Sequence, residues 1–165
     1  MQLATIGYEG LDVQSFFTIL KNNQVKKLID IRELPLSRKR GFSKSALAIH
    51  AEEFGLGYVH IPELGAPRDV RHEYKDDHDW TRFAARYQAY MKTQVTALDK
   101  LSEIISAETC CLLCFEADHT RCHRRFVASA MYARFDGEVQ VNHLAAPEKA
   151  PAAWLQPLVG IALPQ

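Results

Sequence analysis

Residues 110–124 read Cys110-Cys111-Leu112-Leu113-Cys114-Phe115-Glu116-Ala117-Asp118-His119-Thr120-Arg121-Cys122-His123-Arg124. An apolar run stops abruptly in a dense set of acids, imidazoles, thiols and guanidinium groups. A buried strand cannot carry unpaired charges in its interior, so the polar burst marks where the strand leaves the core. A helical pattern from about Cys122 to Phe135 follows at once. Strand, polar loop and helix in that order form the building unit of a parallel sheet.

The same alternation runs along the rest of the chain. Leu3 to Tyr8 reads as a first strand, and Asp12 is positioned to cap a helix that runs to about Asn22. Lys27 to Arg32 reads as a second strand, stopped by Pro35. Ser43 is a suitable N-cap for a helix over Lys44 to Phe54, and Gly55 stands where a helix end favours a left-handed residue. Gly57 to Ile61 gives a third strand. One long amphipathic helix is predicted from about Trp80 to Ser106, its aromatic stripe of Phe83, Tyr87 and Tyr90 read as core packing. Thr109 to Phe115 is the fourth strand and Val139 to Leu144 the fifth. The expectation is a single α/β domain over residues 1–145, with a mainly parallel sheet of about five strands flanked by helices. A proline-rich tail, 146–165, packs on it or trails from it.

Composition narrows the function. Lys and Arg together number 20 and so do Asp and Glu, so no bulk basic charge marks a nucleic-acid binder, although a local basic face is compatible with this balance. The chain has no apolar run long enough to span a membrane and no signal-peptide pattern at its start, so a cytoplasmic protein without membrane contact is expected. The four cysteines all lie between residues 110 and 122 and are read as free thiols.

In an open parallel sheet, ligands bind beyond the carboxyl ends of the strands. Here those ends carry Glu9, then Asp30, Arg32 and Glu33, then His60 and Glu63, then Glu116 and Asp118. A polar cleft built from all four is expected. Glu116 shares a strand face with Cys114 and sits at an apolar boundary, where burial favours the neutral carboxyl and raises its pKa. With Glu9 on the neighbouring strand it forms a candidate acid/base pair of the kind used in glycoside hydrolysis, with Asp30 as an alternative. The competing reading is structural, with Glu116 held in a salt bridge by Arg32 or Arg124. The loop Ser37–Lys44 adds Arg38, Lys44 and a helix N-terminus, a combination suited to phosphate, and Phe42 is a candidate for stacking on a base. Arg32 and Arg124 join it as phosphate ligands, and Cys122 or His123 would orient the substrate.

The spacing Cys111-x-x-Cys114 invites a metal assignment, but residues three apart on a strand point to opposite faces. No metal and no other cofactor is therefore expected. A site from Cys114, His119, Cys122 and His123 stays open as the thiol- or metal-dependent alternative. The layout also suggests thiolate enzymes such as phosphatases and sulfurtransferases. However, the loop from Cys114 to Arg121 lacks the glycines that turn backbone N–H groups toward an anion.

Taken together, Thr5-Ile6-Gly7-Tyr8-Glu9-Gly10, Asp30-Ile31-Arg32, Ser37-Arg38 with Gly41-Phe42-Ser43-Lys44, Pro62-Glu63-Leu64-Gly65, and Leu113-Cys114-Phe115-Glu116 with Cys122-His123-Arg124 resemble the DUF488 family of small bacterial and archaeal proteins. The resemblance spans roughly residues 3 to 145 and implies a small α/β domain. It brings no substrate or catalytic residues with it. The functional expectation is a hydrolase acting on a nucleotide or nucleic acid, at a glycosidic or phosphoester bond. The alternatives are a non-catalytic phosphate- or nucleic-acid-binding module and a thiol or metal enzyme centred on Cys114 and Cys122.

Overall fold

The computed structural model describes residues 1–146, so all but the first residue of the proline-rich tail lies outside the described residues. The elements follow in the order β1 (Gln2–Gly7), α1 (Val13–Asn22), β2 (Lys27–Asp30), α2 (Lys44–Glu53), β3 (Gly57–His60), α3 (Arg68–Asp77), α4 (Trp80–Met91), α5 (Val95–Ala107), β4 (Cys110–Cys114), α6 (Arg124–Arg134) and β5 (Gln140–Leu144). Short 3-10 turns occupy Pro62–Leu64 and His119–Arg121. The five strands form one sheet in the order β3-β2-β4-β1-β5, and every pairing is parallel.

The central strand β4 is buried from end to end, as its Cys-Cys-Leu-Leu-Cys sequence requires when both faces are covered. Its odd residues, Cys111 and Leu113, pack against Phe16, Phe17, Leu20, Leu47 and Ala51 from α1 and α2. Its even residues, Cys110 and Leu112, pack against Tyr87 and Leu98 to Ile105 of α4 and α5 and against Val127 and Met131 of α6. The two layers of helix thus lie on opposite faces. The chain leaves β1 and β2 toward the first layer, and leaves β4, which lies between them, toward the second. Loops that part in this way open a crevice above the central strand.

The sequence reading needs three corrections here. The single long helix is two, α4 and α5, with the break at Thr93, whose hydroxyl donates to the Tyr90 carbonyl at 2.7 Å, a local bond that competes with the helical ladder. Helix α3 is absent from the sequence reading because it has no apolar stripe to reveal it, with Val70 its one buried residue. It is instead tied to α4 by ion pairs from Arg86 to Asp69 and Glu73 and from Arg82 to Asp77. Ser43 stands at the start of α2 without a capping hydrogen bond from its side chain, whereas Asp12 caps α1 by accepting from the Ser15 N–H at 2.7 Å.

At the end of β1 the backbone approaches the loop after β4 closely. A Cβ placed on Gly7 would lie 1.7 Å from the Glu116 carbonyl oxygen, and backbone atoms cannot swing aside as a side-chain tip can. Gly7→Ala is expected to lower unfolding free energy by about 3 kcal/mol in urea denaturation, the upper range for overpacking. A loss below about 0.5 kcal/mol would show that this junction yields freely.

Candidate functional site

A cavity of about 700 Å³ opens over the carboxyl ends of β1, β2 and β4. Tyr8 and Glu9 reach it from β1, Arg32 and Glu33 from β2, and Cys114, Phe115 and Glu116 from β4. His123 and Cys122 close its floor, while Trp80 and Phe83 form one wall. Three of the four strand ends expected to converge therefore do so. The residues after β3 face elsewhere: His60 donates from Nε2 to the Arg32 carbonyl at 2.8 Å, and Glu63 offers its carbonyl to the Tyr90 hydroxyl. Asp118 is also spent locally, capping the short turn through the Thr120 N–H.

Beneath the cleft, Asp30 and Arg32 form a buried bidentate pair, with Nε to Oδ1 at 2.8 Å and Nη2 to Oδ2 at 2.6 Å. The Tyr58 hydroxyl donates to the same carboxylate at 2.7 Å, and burial beside that carboxylate pushes the Tyr58 phenol well up. Arg32 Nη1 donates onward to the Phe42 carbonyl (2.9 Å) and the Tyr8 hydroxyl (3.2 Å). The pair raises the Arg32 pKa still further despite its burial, so the guanidinium stays charged. Asp30 thus does not line the cavity but sits under it as the anchor of Arg32. Phe42 is fully buried, stacked on Tyr8 with ring centroids 4.6 Å apart, which leaves no free face for a base. Arg38 lies on the cavity rim, while Lys44 is exposed and outside its lining.

Arg124 is likewise fully buried. It donates from Nε to the Thr5 hydroxyl at 3.3 Å, from Nη2 to the Ala117 carbonyl at 3.0 Å and from Nη1 to the Glu116 carbonyl. It braces the loop and does not face the cleft. Glu9 tethers the same loop from the other side by accepting from the Ala117 N–H at 2.9 Å, yet remains exposed in the cavity wall.

The floor of the cavity concentrates the chemistry. Cys114, Glu116, Cys122 and His123 each offer one donor atom, and these atoms all lie within 4.8 Å of one another. Glu116 lies two residues past the end of β4, yet its carboxylate meets Cys114 as the sequence reading held, and the turn at 119–121 returns Cys122 and His123 to join them. The Cys114 thiol donates to Glu116 Oε2 at 2.9 Å, and the His123 Nδ1 stands 3.5 Å from Cys114 Sγ. His123 Nε2 donates to the Ile31 carbonyl at 3.1 Å, which fixes the proton on that nitrogen. His119 is not part of this group; it stacks on His143 at 3.8 Å beside β5, and Glu116 takes the place the sequence reading gave it.

These contacts also reverse the expected titration of Glu116. Burial alone would raise its pKa, but the positive charge of His123 and hydrogen bonds from the Cys114 and Cys122 thiols outweigh it, and the carboxyl is held below its usual range. Burial works against the His123 cation too, yet the sulfur of Cys122, the charge on Glu116 and the Ile31 carbonyl raise its pKa. Burial pushes the thiols of Cys114 and Cys122 up. No salt bridge joins Glu116 to an arginine among the described residues, so the purely structural reading of that carboxylate lacks its partner.

Several cavity residues were not singled out by the sequence. Phe115 is 45% exposed and meets Tyr8 edge-on at 5.2 Å. Arg121 lies over the Trp80 ring with its guanidinium carbon 5.8 Å from the centroid, and Arg71 and Lys75 come from the unforeseen α3. Arg71 is neutralised by Glu33, while Arg38, Lys75 and Arg121 have no carboxylate partner among the described residues.

Residues 12–131 match the family described as domain of unknown function DUF488. The chain belongs to the DUF488 family. The DUF488 match takes in the second, third and fourth strands and the whole Cys114–Arg124 loop, but begins after β1 and its Thr5–Gly10 segment. No curated protein and no solved structure matched the chain.

The pairing beneath the cleft gives a direct expectation for Asp30. Asp30→Ala strands a buried guanidinium and should cost about 3–5 kcal/mol of stability in chemical denaturation. A loss under about 1 kcal/mol would mean that Asp30 does not hold Arg32 in solution.

Proposed function

We propose that this DUF488 protein is a hydrolase for a nucleotide or a related phosphate-bearing compound, bound in the cleft above β4. The observation that carries the reading is the juxtaposition, in one cavity, of the half-buried Glu116 carboxylate at the floor and unpaired cations at the rim. Glu116 is kept negative by its neighbours and so fits the role of general base toward water. Glu9, two residues past the end of β1, supplies the second carboxylate of the cavity and is the candidate acid for the leaving group. Arg38, Lys75 and Arg121 would hold phosphate. They replace Arg124, whose donors are turned into the loop, as the main charge contacts, with Arg32 contributing from below.

The remaining wall suits a planar ring. Phe115, Trp80 and Tyr8 are within the lining, and a volume near 700 Å³ is in the range of small-molecule sites. Phe115 takes the stacking role first considered for Phe42. A thiolate nucleophile is disfavoured, because burial keeps Cys114 and Cys122 protonated.

The test is calorimetric titration of adenosine monophosphate, inorganic phosphate and short single-stranded DNA and RNA, with products followed by mass. Binding should weaken as salt rises, and Arg38→Ala or Arg121→Ala should each reduce affinity about tenfold, the size of one charge-assisted contact. Glu116→Gln should retain binding and lose turnover by about 100-fold or more. Binding by wild type without any product would leave a binding module, and absence of binding to every probe would remove the phosphate reading altogether.

A further inference from the structure

We infer that Cys114, Cys122 and His123 form a binding site for a single zinc ion, with the fourth coordination position facing Glu116 and the cavity. The inference deepens the hydrolase reading, because it places a metal where that reading needs an activated water.

The donor set is the first argument. Two sulfurs and an imidazole nitrogen are the ligands that zinc prefers, and among the described residues they meet nowhere else. Cys111, which sequence spacing paired with Cys114, lies on the opposite face of the sheet among Leu113 and Phe17. The partner of Cys114 is Cys122, delivered by the loop.

Distances are the second argument. Zinc bonds of about 2.3 Å to sulfur and about 2.0–2.1 Å to nitrogen, held tetrahedrally, put a sulfur and a nitrogen ligand about 3.5 Å apart. Cys114 Sγ and His123 Nδ1 are 3.5 Å apart, and Cys122 Sγ is 4.0 Å from the same nitrogen.

The orientation of His123 is the third. A ligating imidazole characteristically donates its other N–H to a carbonyl or carboxylate, which sets the ring and its tautomer. Nε2 donates to the Ile31 carbonyl at 3.1 Å and the ring packs edge-on against Tyr87 at 5.3 Å, which leaves Nδ1 the nearer ring nitrogen to Cys114 Sγ, at 3.5 Å against 4.0 Å for Nε2. Glu116 Oε2, 2.9 Å from Cys114 Sγ, borders the remaining position on the cavity side.

The exchange balances simply. Zinc enters as the dication, each thiol releases its proton to solvent as its sulfur becomes a thiolate ligand, and Nδ1 binds through its lone pair after giving up any proton it carries. Three protein ligands leave room for one water. Its proton would pass to Glu116, and the resulting hydroxide would attack the substrate.

The experiment measures metal, not turnover. Protein stripped with a chelator is titrated with zinc alone and with cobalt(II) alone, alongside elemental analysis of protein as purified. The expected result is one zinc per chain, affinity in the nanomolar range or tighter, and a thiolate-to-cobalt charge-transfer band. Cys114→Ser, Cys122→Ser and His123→Gln should each weaken zinc binding by about 100-fold or more, while Cys111→Ala and Glu116→Gln keep it. Because a ligand variant can lose metal by misfolding, its circular dichroism is compared with wild type. Thiol alkylation of wild type provides a second readout, with Cys114 and Cys122 protected by zinc and released by chelator.

Metal-free wild type that takes up no zinc, a Cys114–Cys122 disulfide in its place, or loss of zinc in Glu116→Gln would each overturn the three-ligand site. A zinc-loaded protein that binds no phosphate compound would retain this site and discard the hydrolase reading, and a protein that takes up no zinc yet hydrolyses its substrate would do the reverse.

Discussion

Arg124 is a charged side chain at full burial, and the order of everything above β4 depends on where its donors go. They cap the Thr5 hydroxyl inside β1 and the carbonyls of Glu116 and Ala117 at the exit of β4. A buried guanidinium is costly unless it is fully engaged, and backbone carbonyls at a strand end are costly unless they receive donors. Each need meets the other here. The loop between strand and helix is thereby held to one course, and that course brings Cys122 and His123, eight and nine positions after Cys114, back to its sulfur. A lysine could not replace it, since a single ammonium lacks the planar fork that reaches two successive carbonyls.

A second buried pair works below the neighbouring strand. Asp30, Arg32 and Tyr58 satisfy one another, and through Arg32 they fix the Tyr8–Phe42 stack that forms the base of the cleft. The cleft is thus a rigid polar platform whose charges are mostly committed, with an uncommitted layer above it. Arg38, Lys75 and Arg121 belong to that upper layer, Glu9 beside them is tied to the Ala117 N–H, and the Cys114, Glu116, Cys122 and His123 group lies at its floor. Division of this kind suits catalysis, in which reacting groups must be positioned by neighbours that do not themselves move.

Much of the architecture was legible because its hydrophobic periods are clean. The run Cys110–Cys114 is apolar on both faces and lies in the centre of the sheet, and Phe16, Phe17 and Leu20 mark the inward side of α1 as their spacing suggests. Helix α3 was illegible because Val70 is its one buried residue, and the ion pairs that tie it to α4 leave no periodic trace. In the site, residue types at the strand ends were readable, and Cys114 does meet Glu116, although the strand on which that reading relied ends at Cys114. Pairing was not readable. Whether Arg32, Arg124 and Phe42 face a ligand or the interior depends on which distant groups arrive beside them. Ile31 meeting His123 and Thr5 meeting Arg124 are contacts across 92 and 119 residues. The pKa of Glu116 turned for the same reason: burial was foreseeable, but the charge of His123 beside it was not.

The central claim is that the loop after β4 assembles one metal-binding and reactive centre at the floor of the cleft. A crystal structure of the protein as purified, with anomalous data collected on both sides of the zinc absorption edge, tests it most directly. The account predicts a single anomalous peak about 2.3 Å from the sulfurs of Cys114 and Cys122 and about 2.0 Å from His123 Nδ1, with density for a fourth ligand toward Glu116. A map with no peak there, and the two sulfurs either bonded to each other or turned apart, would contradict it.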